Sequence, residues 1–135
     1  MNLVFADTQF FAGIINPHDQ WHELAVLAEA KLIDPHYITT ESVLTEVLTF
    51  FCEYGPRLRL RVVEIIELIL ADPNTNVIPI SHEIFLKGVD LYKQRPEKEY
   101  SLTDCISMNV CQSRGIMDVL SHDHHFSQEG LTVLM

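Results

Sequence analysis

Short apolar runs alternate along the chain with longer segments whose apolar residues recur at helical spacing. Leu3 to Ala6 is apolar, is closed by Asp7, and reads as a buried strand. Phe10 to Ile15 reads as a short helix stopped near Asn16-Pro17. From His18 to Ile33, Trp21, Leu24, Ala25, Ala28 and Leu32 share one helical face, and Asp34-Pro35 ends the segment. Tyr37 to Thr39 is a strand candidate. Thr40 to Tyr54 is predicted helical, with Val43, Val47, Phe50 and Phe51 on one side, until Gly55-Pro56 breaks it. Arg57 to Ala71 is also predicted helical, although Arg57, Arg59 and Arg61 alternate as they would in a strand. Asp72-Pro73-Asn74 is a turn and Val77 to Ile80 a strand. Ser81 to Gln94 is a helix with Ser81 as N-cap, and Arg95 to Tyr100 is a polar loop. Ser101 to Arg114 is a helix ending at Gly115, followed by strands at Val119 to Ser121 and Leu131 to Leu134.

Helices alternating with short apolar strands predict an α/β sandwich with a mostly parallel sheet. No repeat, low-complexity tract or linker interrupts the 135 residues, so residues 1–135 are read as one domain. The apolar fraction of 47% and charged fraction of 21% are those of a globular chain and argue against disorder. The formal charge of −10 disfavours a passive nucleic-acid coat protein, which carries a basic footprint. Cys52, Cys105 and Cys111 are odd in number and irregularly spaced, which predicts reduced thiols in a cytosolic protein. No apolar run is long enough for a membrane span, and the first seven residues lack the basic start of a signal peptide.

Parallel sheets gather functional groups at the carboxyl ends of their strands, and four acids fall where packing alone would not put them. Asp7 closes the first strand, where a carboxylate is costly unless paired, metal-bound or capping the next helix. Glu46 lies among Val43, Leu44, Val47 and Leu48, either facing the interior or on the solvent rim. Asp104 stands at the third helical position after Ser101, as in a capping box, where the positive helix end favours an ionised carboxylate. Asp123 follows a strand as Asp7 does, or simply begins a turn. Converged at one sheet edge, these carboxylates would repel one another, and Mg²⁺ or Mn²⁺ is the natural compensation.

Phe5-Ala6-Asp7-Thr8, Glu46 within a helix, Ser101-Leu102-Thr103-Asp104-Cys105, and Leu120-Ser121-His122-Asp123-His124-His125-Phe126 resemble the PIN domain, in particular the VapC-type toxin ribonucleases. The resemblance spans essentially the whole chain. It implies a three-layer α/β/α sandwich and a Mg²⁺- or Mn²⁺-dependent endoribonuclease that hydrolyses RNA phosphodiesters to 5′-phosphate and 3′-hydroxyl ends. It implies Asp7 and Asp104 as the firmest metal ligands, with Glu46 and Asp123 completing the set. Thr8 and Ser121 match hydroxylic supporting positions. It also implies a homodimer in the cytoplasm, neutralised by an antitoxin protein. Gln9 and His122 depart from the commoner residues at their positions, which bears on substrate fit. The alternatives are an inactive PIN-fold binding module and a stand-alone PIN nuclease outside toxin–antitoxin systems.

Other chemistry finds less support. His122, His124 and His125 beside Asp123 suggest zinc, but residues so close in sequence rarely converge on one ion, and solvated turn histidines are expected. No G-x-x-x-x-G-K is present, and no lysine follows Lys98 as a receiver domain would need. Cys105, inside an apolar helix, is expected to be a buried structural thiol, and Trp21 a core or interface residue.

Charge is unevenly spread. Between Arg57 and Lys98 there are seven bases and six acids, whereas the remainder has two bases and thirteen acids. The middle of the chain, with Arg57, Arg59 and Arg61, is therefore expected to supply the phosphate-facing rim for an RNA substrate.

Overall fold

The computed structural model describes residues 2–135. Five strands form one sheet in which every pairing is parallel: β1 (Asn2–Ala6), β2 (Pro35–Thr40), β3 (Thr75–Ile78), β4 (Asp118–Leu120) and β5 (Thr132–Val133). Seven helices, α1 (Thr8–Ile15), α2 (His22–Ala30), α3 (Glu41–Phe50), α4 (Pro56–Ala71), α5 (His82–Gln94), α6 (Leu102–Arg114) and α7 (His125–Gln128), complete a three-layer α/β/α sandwich. The strand order is β3-β2-β1-β4-β5. The chain builds outward from β1 to one side, then returns to build β4 and β5 on the other. A switch of direction of this kind opens a crevice at the carboxyl ends of the two strands that flank it. Here those strands are β1 and β4, paired through Phe5 with Val119 and Ala6 with Leu120.

The apolar runs become the strands because both sheet faces are covered. Val4, Phe5, Ala6, Val119 and Leu120 are inaccessible to solvent. Thr39, also fully buried, donates its hydroxyl to the Ala6 carbonyl at 2.8 Å and ties the end of β2 to the end of β1. Phe51, Phe126, Met108 and Ile116 fill the largest buried volumes.

Local chemistry explains where the elements depart from expectation. The helix expected from His18 begins only at His22, because Asn16 Oδ1 and Asp19 Oδ1 accept the His18 and Trp21 backbone N–H groups and fold that stretch into turns. The alternating arginines do not make a strand. Pro56 stands at the first helical position after Gly55, whose φ of 91° no side chain readily adopts, and the segment runs as helix α4. Strand β3 begins at Thr75, two residues before the expected Val77, because Asp72 accepts both the Asn74 N–H and the Thr75 hydroxyl and launches the strand early. Helix α7, too short to show a periodicity, was not foreseen.

Helix α6, which carries Asp104, is fixed at both ends. A complete capping box joins Ser101 and Asp104, and Gly115 closes the helix in the left-handed conformation. Helix α5 packs against it through Gly88. A β-carbon at Gly88 would sit 2.6 Å from Cγ1 of the buried, branched Ile106. Gly88→Ala is therefore expected to destabilise the fold by about 1–2 kcal/mol in urea unfolding, since overpacking outweighs the helix-propensity gain of about 1 kcal/mol.

Candidate active site

Asp7 leaves the end of β1 and Asp123 lies just beyond β4, on either side of the crevice at the switch of strand order. Glu46 comes from the middle of α3 and Asp104 from the first turn of α6. All four carboxylates line one open cleft of about 480 Å³, together with Thr8, Gln9, Thr49, Phe50 and Ser101. No lysine or arginine lines it.

Each acid is held by a neighbour. Asp7 occupies the N-cap position of α1 yet makes no capping bond, so the capping role is not the one it takes. Its backbone N–H donates to the Leu120 carbonyl at 3.2 Å, which binds it to β4. Its Oδ2 accepts the Ser121 hydroxyl at 2.9 Å, and that serine is fully buried. Gln9 Oε1 lies 3.2 Å from the same hydroxyl, which has one proton and a nearer acceptor in Asp7. Ser121 Oγ in turn accepts the Asp123 N–H at 3.0 Å. Thr8 donates to Glu46 Oε1 at 2.6 Å, so Glu46 faces the cleft rather than the solvent rim.

Asp104 fulfils both of its expected roles. Its Oδ2 accepts the Ser101 N–H at 3.1 Å, and its own N–H donates to Ser101 Oγ at 3.0 Å, while the side chain lines the cleft and is 13% exposed. Asp123 likewise starts a turn, accepting the His125 N–H at 2.9 Å, and faces the cleft.

The histidines part company. His124 is exposed. His122 stacks on Trp21 with ring centroids 4.0 Å apart, and burial lowers its pKa. His125 turns inward, with Nδ1 3.2 Å from Asp123 Oδ1 and 3.5 Å from Asp104 Oδ2. The expectation of solvated turn histidines therefore holds for His124 and fails for His122 and His125. Sequence adjacency says which residues are near in the chain, whereas the single turn of α7 sends neighbouring side chains in different directions.

The electrostatics record the crowding. Asp7, 3% exposed, has its pKa pushed up to about 7, first by burial and then by the charge of Asp104, with Glu46 adding to it. The Thr8 backbone N–H and the Ser121 hydroxyl work in the opposite direction but do not prevail. The pKa of Asp104 is also raised, chiefly by burial and further by Asp123 and Glu46. Four acids with no lysine or arginine among the described lining residues form a hard oxygen donor set, suited to a divalent cation such as Mg²⁺ or Mn²⁺.

The three arginines do not join the site. Arg59 donates to the Cys52 carbonyl at 2.8 Å, Arg61 pairs with Glu64 at 3.0 Å, and Arg57 is exposed. Arg59 does line an adjoining groove of about 520 Å³ that shares Thr49 with the acidic cleft. Cys105 is buried and its thiol is pushed up to about 11 by desolvation, as befits an inert core residue. Sequence reading did not place Thr49 or Phe50 on the cleft wall, and it read His125 as a solvated turn residue. The run Asp123-His124-His125-Phe126 was the available signal for His125.

By sequence, the chain matches no family description and no curated relative. By structure it has the PIN-domain fold and resembles the PIN-type toxins of toxin–antitoxin systems. VapC20 of Mycobacterium tuberculosis, a toxin that cleaves the sarcin–ricin loop, superposes with a TM-score of 0.84 and 25% identity over 96% of each chain. FitAcB from Neisseria gonorrhoeae superposes with a TM-score of 0.71 and 15% identity, over 98% of this chain and 96% of that one. A FitAB complex bound to an IR36 DNA fragment gives a TM-score of 0.69 and 16% identity over 96% and 92%.

The raised pKa of Asp7 sets a pH dependence. In the unfolded chain this carboxyl ionises near its ordinary 3.8, whereas in the metal-free fold it keeps its proton to about pH 7. Its contribution to stability is therefore complete below pH 3.8 and lost as pH rises through 7. Asp7→Asn is expected to stabilise the metal-free protein relative to wild type at pH 8, on the order of 3 kcal/mol in denaturant unfolding. That advantage should shrink towards pH 4, and added Mn²⁺ should stabilise wild type alone.

Proposed function

We propose that this protein is a divalent-metal-dependent endoribonuclease of the VapC type, the toxin of a toxin–antitoxin pair. The observation that carries the reading is the convergence of Asp7, Glu46, Asp104 and Asp123 in one cleft that no basic side chain lines. The likeness to VapC20 over 96% of the chain supports the same reading.

Asp7 and Asp104 would hold Mg²⁺ or Mn²⁺, and Glu46 and Asp123 would complete the donor set. Bound there, the ion supplies Lewis-acid polarisation of a phosphoryl oxygen and lowers the pKa of coordinated water. The protein's own contribution is positional. Ser121 fixes Asp7 from one side and the Asp123 backbone from the other, so one hydroxyl sets the relation between the β1 and β4 acids. Thr8 orients Glu46, and the capping box orients Asp104. The rim carries an RNA strand past the acids, with Arg59 in the adjoining groove and Arg57 and Arg61 on the same helix as its phosphate contacts.

The protein acts in the cytoplasm, in keeping with its three free cysteines. Exposed Leu60, Val63, Leu68 and Leu70 on α4 give a homodimer contact or an antitoxin helix an apolar face to bury. No described helix is long and apolar enough to cross a membrane.

Purified protein is expected to cleave single-stranded RNA with Mg²⁺ or Mn²⁺ and to stop when EDTA is added. Asp104→Asn should lower the single-turnover rate by at least about 10²-fold, since it removes a charged metal ligand while keeping a capping side chain. Metal-independent cleavage that survives Asp104→Asn would rule the reading out, and RNA binding without cleavage would favour a binding module.

A further inference from the structure

His125 stands out because no assigned role uses it. Its side chain is four-fifths buried, and Nδ1 is shielded from solvent without an aligned hydrogen-bond partner among the described residues. A buried imidazole nitrogen left in that state is costly unless something else occupies its lone pair. The groups in front of it are Asp123 Oδ1 at 3.2 Å and Asp104 Oδ2 at 3.5 Å. One ligand atom from each of the three residues falls within 4.8 Å of the others.

Those separations have a chemical meaning. Two donors bound at right angles to one octahedral ion, each about 2.1 Å from it, lie roughly 3.0 Å apart. Nδ1 is therefore already spaced from each of the two oxygens almost as a neighbouring ligand would be. The rival arrangement is a protonated imidazole paired with the acids: His125 does act to lower the Asp104 pKa, but neither carboxylate contact of Nδ1 is an aligned hydrogen bond.

The ring is also held in place by its own backbone and by packing. Its backbone N–H is anchored on Asp123 Oδ1 at 2.9 Å. Tyr100 packs edge-on against it with centroids 5.3 Å apart. The Tyr100 hydroxyl donates to Glu129 Oε1 at 3.1 Å, and Arg95 Nε donates to the same oxygen at 2.7 Å. Arg95, Glu129 and Tyr100 thus form an outer brace that fixes the imidazole plane.

We propose, given the cation site argued above, that His125 Nδ1 is a nitrogen ligand to an ion shared with Asp104 and Asp123. Asp7 and Glu46 offer only oxygen on the other side of the cleft. Nitrogen ligation biases this part of the site away from Mg²⁺, which prefers oxygen and water, and towards Mn²⁺ and later transition metals.

The test is electron spin-echo spectroscopy of the full-length protein loaded with one equivalent of Mn²⁺, beside equilibrium titrations of Mn²⁺ and Mg²⁺. Wild type should show nitrogen modulation of the manganese signal. His124→Gln should keep it. His125→Phe, which retains the ring against Tyr100, should lose it and bind Mn²⁺ at least about tenfold more weakly, with a smaller loss for Mg²⁺. Manganese that binds tightly to wild type without nitrogen modulation overturns the assignment of His125 alone and leaves the carboxylate site standing. No Mn²⁺ binding to wild type overturns both. The wild-type spectrum decides the matter even if the variant fails to fold.

Discussion

Asp7 is a carboxylate at the end of the central strand, almost sealed from solvent, with the charges of Asp104 and Glu46 near it. Burying such a group without a cation is unfavourable, and the surrounding structure is arranged around that fact. Ser121 donates a hydrogen bond to the Asp7 carboxyl, β4 accepts its backbone N–H, and α1 begins on the next residue without using the carboxylate as a cap. A domain built only for stability would place an apolar residue here. Keeping the acid makes sense when a positive ion offsets the desolvation and the mutual repulsion.

The fold makes this possible because the switch of strand order lies beside β1. Chain segments far apart in sequence deliver their acids to one edge: the ends of β1 and β4, the middle of α3 and the start of α6. The helix end carrying Asp104 contributes as well, since its unpaired backbone N–H groups favour negative charge close by. The placement comes from short hydrogen bonds to the carboxylates: the Thr8 hydroxyl on Glu46, the Ser121 hydroxyl on Asp7 and the Ser101 backbone N–H on Asp104. These residues do no bond-making chemistry. They keep the carboxylates aimed inward when repulsion would turn them out.

Much of this was legible in the sequence, for identifiable reasons. Buried parallel strands must be apolar throughout, so Leu3 to Ala6 and Val119-Leu120 announced themselves. The capping box at Ser101 and Asp104, and Gly115 at the other end, are local devices with local signatures, and the two ends of α6 followed from them. The four acids could be singled out by position: Asp7 and Asp123 just after strands, Glu46 among apolar residues, and Asp104 in a capping box. What was not legible depended on long-range geometry or on competing local bonds. The start of α2 was decided by Asn16 and Asp19 side chains capturing backbone N–H groups. The inward turn of His125 and the outward turn of His124 were decided by how α7 sits against α6. The arginines of α4 lie outside the acidic cleft, and two of the three are engaged locally, which a count of basic residues does not reveal.

The central claim is that the Asp7 cluster is a cation site whose burial is relieved by metal binding. Proton release on binding tests it most directly, because metal and proton compete for the same buried carboxylate. Calorimetric titration of Mn²⁺ at pH 6, in buffers of different ionisation enthalpy, should reveal about one proton released per ion bound, falling towards none at pH 9. Binding with no proton release at pH 6 would mean that Asp7 is already ionised without the metal, and would contradict the account.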